Sequence, residues 1–438
     1  MLNTMKQKNN LSANRIENRR KKSPVKAFVI TLAVVLGVGF FCMLLFSHVV
    51  SLGTAKTGAE AVADAEDDAE DEPPVLFWEI LPQKEKEKEE VVTEQSKYGQ
   101  LLADEAFMAE NNIYAVSAKD EDVVTIGFAG DILFDDEYAM LATLLNRGVT
   151  IENGISQELL AQMQDVDIMM VNNEFPFTDR GTPVEGKAYT FRADTDTVHY
   201  LQDMGVDVVS LANNHAYDFG ETGLLDTFDT LENAGIPYVG AGRNIEEASA
   251  PVYFIANDIK IAIVSATQIE RLDNPDTKGA TENRGGVFRC WNPEKLYEAV
   301  AKAKETSDFV IVFIHWGTEN QVEPDWAQLE QAPALAQAGA DLIIGAHSHC
   351  LQGIQYFDDT PVVYSLGNFW FNSKSLDTCM IQAEISGEGL KSLKFIPAIQ
   401  SDCRTTLAPD GEKERIISYM ESISYDVDID EEGNVKKR

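Results

Sequence analysis

Cysteine and histidine are scarce in this sequence of 438 residues, which contains five cysteines and six histidines. No two cysteines form a Cys-x-x-Cys pair, so the sequence has neither a zinc-ribbon pattern nor a thioredoxin-like redox motif. Cys42 lies within an apolar run, and the other four are widely spaced: Cys290, Cys350, Cys379 and Cys403. A dense disulfide framework is therefore excluded, although one or two disulfides could form in an oxidising compartment.

Basic residues are half as frequent as acidic ones, 36 against 72, which gives a net charge of −36. Residues 1–26 are the exception, because eight basic residues and one acidic residue give them a net charge of +7. Since residues 27–50 carry no charge, −43 falls on residues 51–438. That part of the chain would repel nucleic acid and anionic lipid, so we expect neither as its partner.

One uninterrupted uncharged run, residues 27–50, is long enough to cross a membrane as a helix, since about 20 residues at ~1.5 Å rise span ~30 Å of hydrocarbon. A cleaved signal peptide would have a shorter apolar core followed by small residues, which Ser-His-Val-Val does not provide. The positive-inside rule places residues 1–26 in the cytoplasm. The sequence thus predicts a single-pass plasma-membrane protein whose large domain is extracytoplasmic.

Residues 51–119 are rich in acidic and small residues and predict a disordered spacer, with a short helix near residues 98–110. In residues 120–400, short apolar runs alternate with helical stretches, as is typical of a layered α/β fold. Residues 380–396 predict a closing hairpin, and residues 401–438 a partly helical extension with an acidic end. The predicted strands are 123–129, 168–171, 206–211, 259–265, 309–314, 342–344 and 362–365, and the predicted helices are 157–163, 222–234, 293–305 and 327–339.

Residues with metal-ligand chemistry follow strand after strand of this pattern. In α/β folds, ligands gather beyond the carboxyl ends of strands, because the loops there project side chains into one crevice. Mixed imidazole, carboxylate and amide ligands suit manganese, zinc or iron, whereas calcium prefers oxygen alone. The sequence therefore predicts one or two divalent transition-metal ions. The candidate residues, which include four of the six histidines, are Asp131, Glu174, Asn214, His215, Asp218, His315, His347 and His349.

These residues belong to motifs that occur in a fixed order: GD (130–131), NNEFP (172–176), ANNHAYDFG (212–220), HWGTE (315–319), GAHSH (345–349) and YSLGNF (364–369). In this order they resemble the capsule-synthesis CapA family. That family is associated with poly-γ-glutamate capsules and is a branch of the calcineurin-like metallophosphoesterase superfamily. The resemblance covers residues 120–400 and implies an α/β/β/α sandwich of metallophosphoesterase type, preceded here by one transmembrane helix.

The resemblance also implies a ligand set for two metal ions, in which one carboxylate bridges both. The implied ligands are Asn214, His315 and His347 for one ion, Asp131 and His349 for the other, and Glu174 as the bridge.

Two positions depart from the superfamily pattern. Leu133 stands where a histidine usually follows the first aspartate by two places, so one subsite has one ligand fewer, and Glu174 replaces the usual bridging aspartate. His215 matches the superfamily's leaving-group acid. Asp218, three residues later, is either the partner that fixes the tautomer of His215 or the cap of the turn at Gly220.

Two further residues are candidates for substrate binding. Arg192 offers a bidentate cation for an anionic substrate, although a surface ion pair would also explain it. Asn368 would point an amide into the crevice, although Gly367-Asn368 is also ordinary turn chemistry. The expected partners are an anionic envelope polymer or its precursor and other membrane proteins of a capsule machine.

Three functions are compatible with these features. The first is an exported metal-dependent hydrolase or transferase that acts on phosphoester or γ-glutamyl linkages, and the ligand set favours it. The second is a non-catalytic binding or export component of a capsule complex, which the anchor, the spacer and Leu133 favour. The third is a general exported phosphoesterase. Fold resemblance alone does not decide among them.

The charge asymmetry around residues 27–50 yields a topological prediction. Because the +7 flank precedes the span, a reporter fused after Arg438 is expected outside the cytoplasm. A paired phosphatase and fluorescent-protein fusion at that position measures the side directly. A cytoplasmic signal would contradict the predicted topology.

Overall fold

A computed structural model describes residues 96–135, 137–270 and 277–438. The predicted transmembrane helix at residues 27–50 and most of the predicted spacer lie outside these residues. Within the described residues, no helix combines the length and apolar character that a membrane crossing requires.

The described chain alternates strands with helices. Its strands are β1 (Ile113–Ala115), β2 (Val124–Ile132), β3 (Ile168–Asn173), β4 (Val208–Ser210), β5 (Tyr238–Val239), β6 (Ala241–Gly242), β7 (Val252–Ala256), β8 (Ile259–Thr267), β9 (Gly286–Val287), β10 (Phe309–His315), β11 (Leu342–Ala346), β12 (Leu351–Phe357), β13 (Thr360–Leu366), β14 (Asn368–Trp370), β15 (Leu376–Ser386), β16 (Gly389–Ser401), β17 (Arg404–Leu407), β18 (Val427–Ile429) and β19 (Val435–Lys437). Its α-helices are α1 (Gly99–Leu102), α2 (Glu105–Glu110), α3 (Ala139–Arg147), α4 (Gln157–Gln164), α5 (His199–Asp203), α6 (Gly220–Ala234), α7 (Ile245–Ser249), α8 (Glu294–Thr306), α9 (Trp326–Ala338) and α10 (Asp410–Ser422).

Two large sheets organise these elements. The first has the order β1-β7-β8-β10-β11-β13-β12, and its central strands β8, β10, β11 and β13 are parallel neighbours. The second has the order β17-β16-β15-β2-β3-β4-β5, in which β2, β3, β4 and β5 are parallel, and β14 also pairs with β2. The carboxyl ends of parallel strands in one sheet lie at the same edge, where loops can form a shared site.

The two sheets pack face to face, with helices on both outer faces. Alternate residues of β10 show the layering: Phe309, Ile311 and Phe313 pack into a central core between the sheets, whereas Val310, Val312 and Ile314 pack beneath α8 and α9. On the second sheet, α3, α4 and α6 cover the outer face. The result is a mixed α/β fold of four layers, in which the central strands are buried on both sides and therefore read as continuous apolar runs.

The strands and helices predicted from residues 123–365 are confirmed, with their ends shifted by a few residues. The predicted hairpin is confirmed as β15 and β16, which pair antiparallel. Helix α3 and strands β7 and β12 were not predicted, because their apolar patterns are short. Each of the two strands pairs antiparallel with the strand that directly follows it, β7 with β8 and β12 with β13.

Both predicted flanking segments contribute to the sheets or their core. Strand β1, from the segment assigned to the spacer, pairs parallel with β7 at the edge of the first sheet. From the C-terminal extension, β17 pairs with β16, and α10 places Ile416, Ile417 and Met420 in the central core.

The backbone approaches itself closely where β2 passes the turn before β14. A Cβ atom added to Gly130 would lie 1.9 Å from the carbonyl oxygen of Gly367, closer than any real contact. The main-chain N–H of Asp131 donates to that same carbonyl at 3.2 Å, and Asn368 pairs with Asp131 in the sheet. This approach sets the side chains of Asp131 and Asn368 next to each other.

Replacement of Gly130 by alanine is therefore expected to lower the free energy of unfolding by at least about 1–3 kcal/mol, the usual range for overpacking. The matched control is Gly387→Ala, because an added Cβ there meets nothing within 4 Å. Urea unfolding of both variants measures the difference. Equal stability of the two variants would contradict the close approach.

Candidate metal centre

The six predicted ligands meet at the edge where strands from both sheets end. In each sheet the strands that carry them are parallel neighbours, so their carboxyl ends lie side by side. The ligands are Asp131 on β2, Glu174 after β3, Asn214 after β4, His315 at the end of β10, and His347 and His349 after β11.

One group of ligand atoms comes from Glu174, His315 and His347, and these atoms all lie within 4.8 Å of one another. His315 Nε2 lies 2.7 Å from Asn214 Oδ1 and 3.0 Å from His347 Nδ1. It lies 3.6 Å from Glu174 Oε1. The four side chains predicted for the first ion are thus within reach of one cation.

A second group consists of Asp131, Glu174 and His349, again with ligand atoms within 4.8 Å of one another. His349 Nδ1 lies 3.0 Å from Asp131 Oδ2. It also lies 2.8 Å from Asn368 Oδ1, so the amide that the sequence assigns to substrate binding contacts this group instead. Glu174 belongs to both groups, in the position predicted for the bridge. Leu133 is packed in the apolar core and contributes no ligand atom.

Burial determines the protonation of these side chains. Burial, and then the charge of Asp131, holds the pKa of Glu174 well above its ordinary value. Burial and neighbouring imidazoles hold the pKa values of His315 and His347 well below the ordinary value. Burial lowers the pKa of His349, but the hydrogen bond and charge of Asp131 outweigh it, so that the pKa is raised. His315 and His347 are therefore neutral, which is the form that binds a metal ion.

The residues fit a divalent cation. Glu174 Oε1 is buried and has no hydrogen-bond partner among the described residues, whereas buried polar atoms normally have one. The nitrogens beside this oxygen, His315 Nε2 at 3.6 Å and His215 Nε2 at 3.9 Å, are too distant for a hydrogen bond. The mixture of imidazole nitrogen with carboxylate and amide oxygen suits manganese, zinc or iron.

The loop after β11 is strained where it carries its two histidines. His347 has a φ of +95° and His349 a φ of +56°, in the left-handed region that residues other than glycine rarely adopt. The loop is held by the main-chain N–H of Asn320, which donates to the Ser348 carbonyl at 2.8 Å. Such strain is concentrated at functional sites, where surrounding contacts maintain it.

Two asparagines that the sequence did not single out support the carboxylates. Asn172 Nδ2 donates to Asp131 Oδ1 at 2.7 Å, and Asn213 Nδ2 donates to Asn172 Oδ1 at 3.1 Å. Asn213 Oδ1 in turn accepts from the main-chain N–H of His215 at 3.1 Å. Their only signal in the sequence is their place beside predicted ligands in the NNEFP and ANNH motifs.

His215 lies beside both groups of ligand atoms. Its Nε2 is 3.9 Å from Glu174 Oε1, and its ring packs against Phe191 with centroids 4.2 Å apart and an angle of 32° between the ring planes. Its Nδ1 is 2.7 Å from Asp218 Oδ2, so the carboxylate contacts His215 rather than the turn at Gly220. Burial lowers the pKa of His215, although the charge of Asp218 opposes this.

Lys187 is a site residue that the sequence did not reveal. Its ammonium pairs with the Asp218 carboxylate and donates to the main-chain carbonyl of Asn214, and its side chain is only 4% exposed. It lies in a turn-rich stretch, GTPVEGKAY, without apolar periodicity, so no local pattern marks it. Arg192, the predicted substrate cation, is half-buried, with its guanidinium carbon 5.0 Å from the centre of the Phe219 ring.

The four cysteines predicted outside the span, Cys290, Cys350, Cys379 and Cys403, are all free thiols. None belongs to the two groups of candidate metal ligands.

Comparison with known proteins identifies sequence relatives. Residues 125–373 match the family described as "Bacterial capsule synthesis protein PGA_cap". The "PGA biosynthesis protein CapA" of Bacillus subtilis (strain 168) is 30% identical over 292 residues, which cover 64% of this chain and 73% of the relative. The "Capsule biosynthesis protein CapA" of Bacillus anthracis is 28% identical and covers 64% and 69%. A "Probable polyglutamine synthesis accessory protein" of Mycobacterium tuberculosis is 27% identical and covers 61% and 75%.

His347→Ala tests the ligand assignment. Loss of this imidazole is expected to lower affinity for manganese or zinc by ~10–100-fold or more, because substitution of residues that only support a metal ligand already lowers metal affinity by that factor. A metal at 100 times its Kd adds about 2.7 kcal/mol to the free energy of unfolding, so weaker metal binding should also lower the Tm measured in the presence of metal. Elemental analysis and a thermal scan of the full-length protein measure both.

The matched control is His199→Ala, which removes an exposed imidazole from α5, away from both groups. It should bind metal as the unsubstituted protein does. Full metal content in His347→Ala would refute the assignment.

Proposed function

This chain belongs to the bacterial capsule synthesis family PGA_cap, as its resemblance to CapA indicated, and from that membership we propose that it acts in biosynthesis or export of a poly-γ-glutamate-like capsule polymer. In this proposal it is a plasma-membrane protein with one transmembrane helix at residues 27–50, a cytoplasmic N-terminus and an extracytoplasmic large domain. Its partners would be the anionic polymer or its precursor and other membrane proteins of a capsule complex.

We also propose that the strand-end cluster is a metal-dependent, hydrolase-like site of metallophosphoesterase type. The observation that carries this proposal is Glu174, a buried carboxylate shared by two groups of ligand atoms and left with an unsatisfied oxygen. Asn214, His315 and His347 would hold one divalent ion, and Asp131 and His349 a second. A bound divalent cation would act as a Lewis acid toward a phosphoryl or acyl group.

His215 is suited to move a proton beside that cluster. Asp218 accepts at Nδ1, which fixes the ring and leaves Nε2 directed toward the ligand groups. With one proton donated from Nδ1 to Asp218, His215 acts as a general acid only after Nε2 takes up a second proton. Burial disfavours that imidazolium and the charge of Asp218 favours it. In that form Nε2–H would pass its proton to the leaving group of the substrate. Phe191 covers one face of the ring and excludes water from that side.

Substrate binding needs positive charge, because residues 51–438 carry −43 and the proposed polymer is anionic. The metal ions and Arg192 would supply it. Asn368 would contribute less to substrate binding than its sequence position suggests, since its side-chain oxygen already contacts His349 Nδ1.

The second candidate is a non-catalytic binding or export component of a capsule complex. It is favoured by Leu133, which fills a ligand position of the superfamily with an apolar side chain packed in the core. A general exported phosphoesterase is a third candidate. A generic phosphodiester assay of the purified protein with each divalent ion separates turnover from binding.

His215→Ala tests the proposed general acid. We expect turnover to fall by roughly 10²–10⁴-fold, the usual share of general acid catalysis. Metal content should stay unchanged, because His215 is outside both ligand groups. A substrate whose leaving group needs no protonation should lose less. Steady-state kinetics with two such substrates, together with elemental analysis, measure the three quantities.

Loss of metal in His215→Ala would make this residue a ligand and refute its role as an acid. Unchanged turnover with both substrates would make it a structural residue. If the unsubstituted protein turns over no substrate, capsule formation in cells that carry His215→Ala decides the role, and a normal capsule would count against it.

A further inference from the structure

A segment without helix or strand lies between β3 and Phe191 and contacts Asp218 and Asn214 of the candidate site. We define residues 179–190 as the strap. Most of its residues are exposed, but the side chain of Lys187 points inward and is only 4% exposed. A lysine buried to this degree is unusual, because desolvation of an ammonium is unfavourable unless the charge is paired.

The contacts of the strap converge on one residue, Asp218. Its main-chain carbonyl accepts from the N–H of Val184 at 2.8 Å, and its Oδ1 accepts from Lys187. Its Oδ2 accepts from the main-chain N–H of Phe191 at 2.7 Å and lies 2.7 Å from His215 Nδ1. The carboxylate that orients His215 is therefore the carboxylate that holds the strap.

Lys187 also reaches the metal-ligand side of the site. Besides Asp218, its ammonium donates to the main-chain carbonyl of Asn214. Asn214 is the residue whose side-chain oxygen lies 2.7 Å from His315 Nε2. One buried ammonium thus contacts two residues of the site: Asn214, whose side chain faces the proposed cation, and Asp218, which orients His215.

We infer that Lys187 is a positioning residue that holds the strap against Asp218 and Asn214 and thereby fixes Asn214 and, through Asp218, His215. The expected effect on catalysis rests on the proposed function. The expected effect on the strap and on the orientation of His215 is independent of it. Lys187 does not itself touch substrate, because it is buried and two acceptors already engage its ammonium.

The strap contains a natural control for this inference. Arg180 also pairs with an aspartate, Asp226, but its side chain is 69% exposed and makes no contact with Asp218. Exposed ion pairs contribute little, whereas removal of one partner from a buried pair leaves an uncompensated charge. Lys187→Met and Arg180→Met therefore remove comparable cations from one segment with different expected effects.

The first experiment measures hydrogen exchange and NMR spectra of the full-length protein. For hydrogen exchange the protein is loaded with manganese or zinc, and for NMR with zinc. In Lys187→Met, amides of residues 181–191 should exchange on the order of 10–100-fold faster, since their anchor is lost. In a ¹⁵N-histidine spectrum, the Nδ1 proton of His215 should lose its protection from solvent. Arg180→Met should match the unsubstituted protein in both measurements.

The second experiment measures turnover. Because Lys187 acts through His215 and not on the substrate, Lys187→Met should lower kcat with little change in KM. Combined with His215→Ala, it should cause a smaller loss of kcat than it causes alone, since the part of its effect that passes through Asp218 and His215 is already removed. If Lys187→Met lowers kcat by the same factor with and without His215→Ala, the two losses are additive. Lys187 would then be only a structural residue, and the inference would be overturned.

If Lys187→Met does not fold, Lys187→Met with Asp218→Asn removes both charges and avoids an unpaired buried carboxylate. That double variant should fold and still show fast exchange in the strap. Exchange and a His215 signal like those of the unsubstituted protein in any folded variant that lacks Lys187 would overturn the inference. Absence of turnover in the unsubstituted protein would contradict only the proposed enzymatic function, because the exchange and NMR measurements do not depend on turnover.

Discussion

Asp131 and Glu174 are two fully buried carboxylates whose ligand atoms lie within 4.8 Å of the same imidazole, and the arrangement of the site depends on them. Burial, and then the charge of Asp131, disfavours the ionised form of Glu174 and raises its pKa. The hydrogen bonds from Asn172 satisfy only part of their need. A bound divalent cation would stabilise both carboxylates in their ionised form at this degree of burial, which supports the proposed metal centre.

The fold accepts strain in order to assemble that cluster. Glycine at position 130 allows two strands to approach, and left-handed backbone at His347 and His349 turns both imidazoles toward the same space. Such features reduce stability locally and persist only where the surroundings hold them. The four-layer fold provides that support, since apolar cores pack against both faces of the strands that carry the ligands.

The sequence was informative where function follows from position along a strand. Apolar runs located β2, β3, β4, β10 and β11, and the polar residues at their ends are the six candidate ligands that the structure brings together. Lys187 was missed because its partner Asp218 lies 31 residues away, across a segment without periodicity. The contact of Asn368 with His349 was missed for a related reason, since it depends on the close approach at Gly130 and not on any local pattern.

The two ligand groups differ in a way that bears on whether the site holds one ion or two. The first offers two neutral imidazoles, an amide oxygen and Glu174. The second offers His349 and Asp131, already in contact with each other, with Asn368 Oδ1 beside them and Leu133 where a further imidazole would be. Because Asp131 raises the pKa of His349, a metal ion there would have to compete with a proton for that imidazole, whereas burial lowers the pKa of both imidazoles of the first group. The ligand chemistry therefore favours filling of the Asn214, His315 and His347 position before the other.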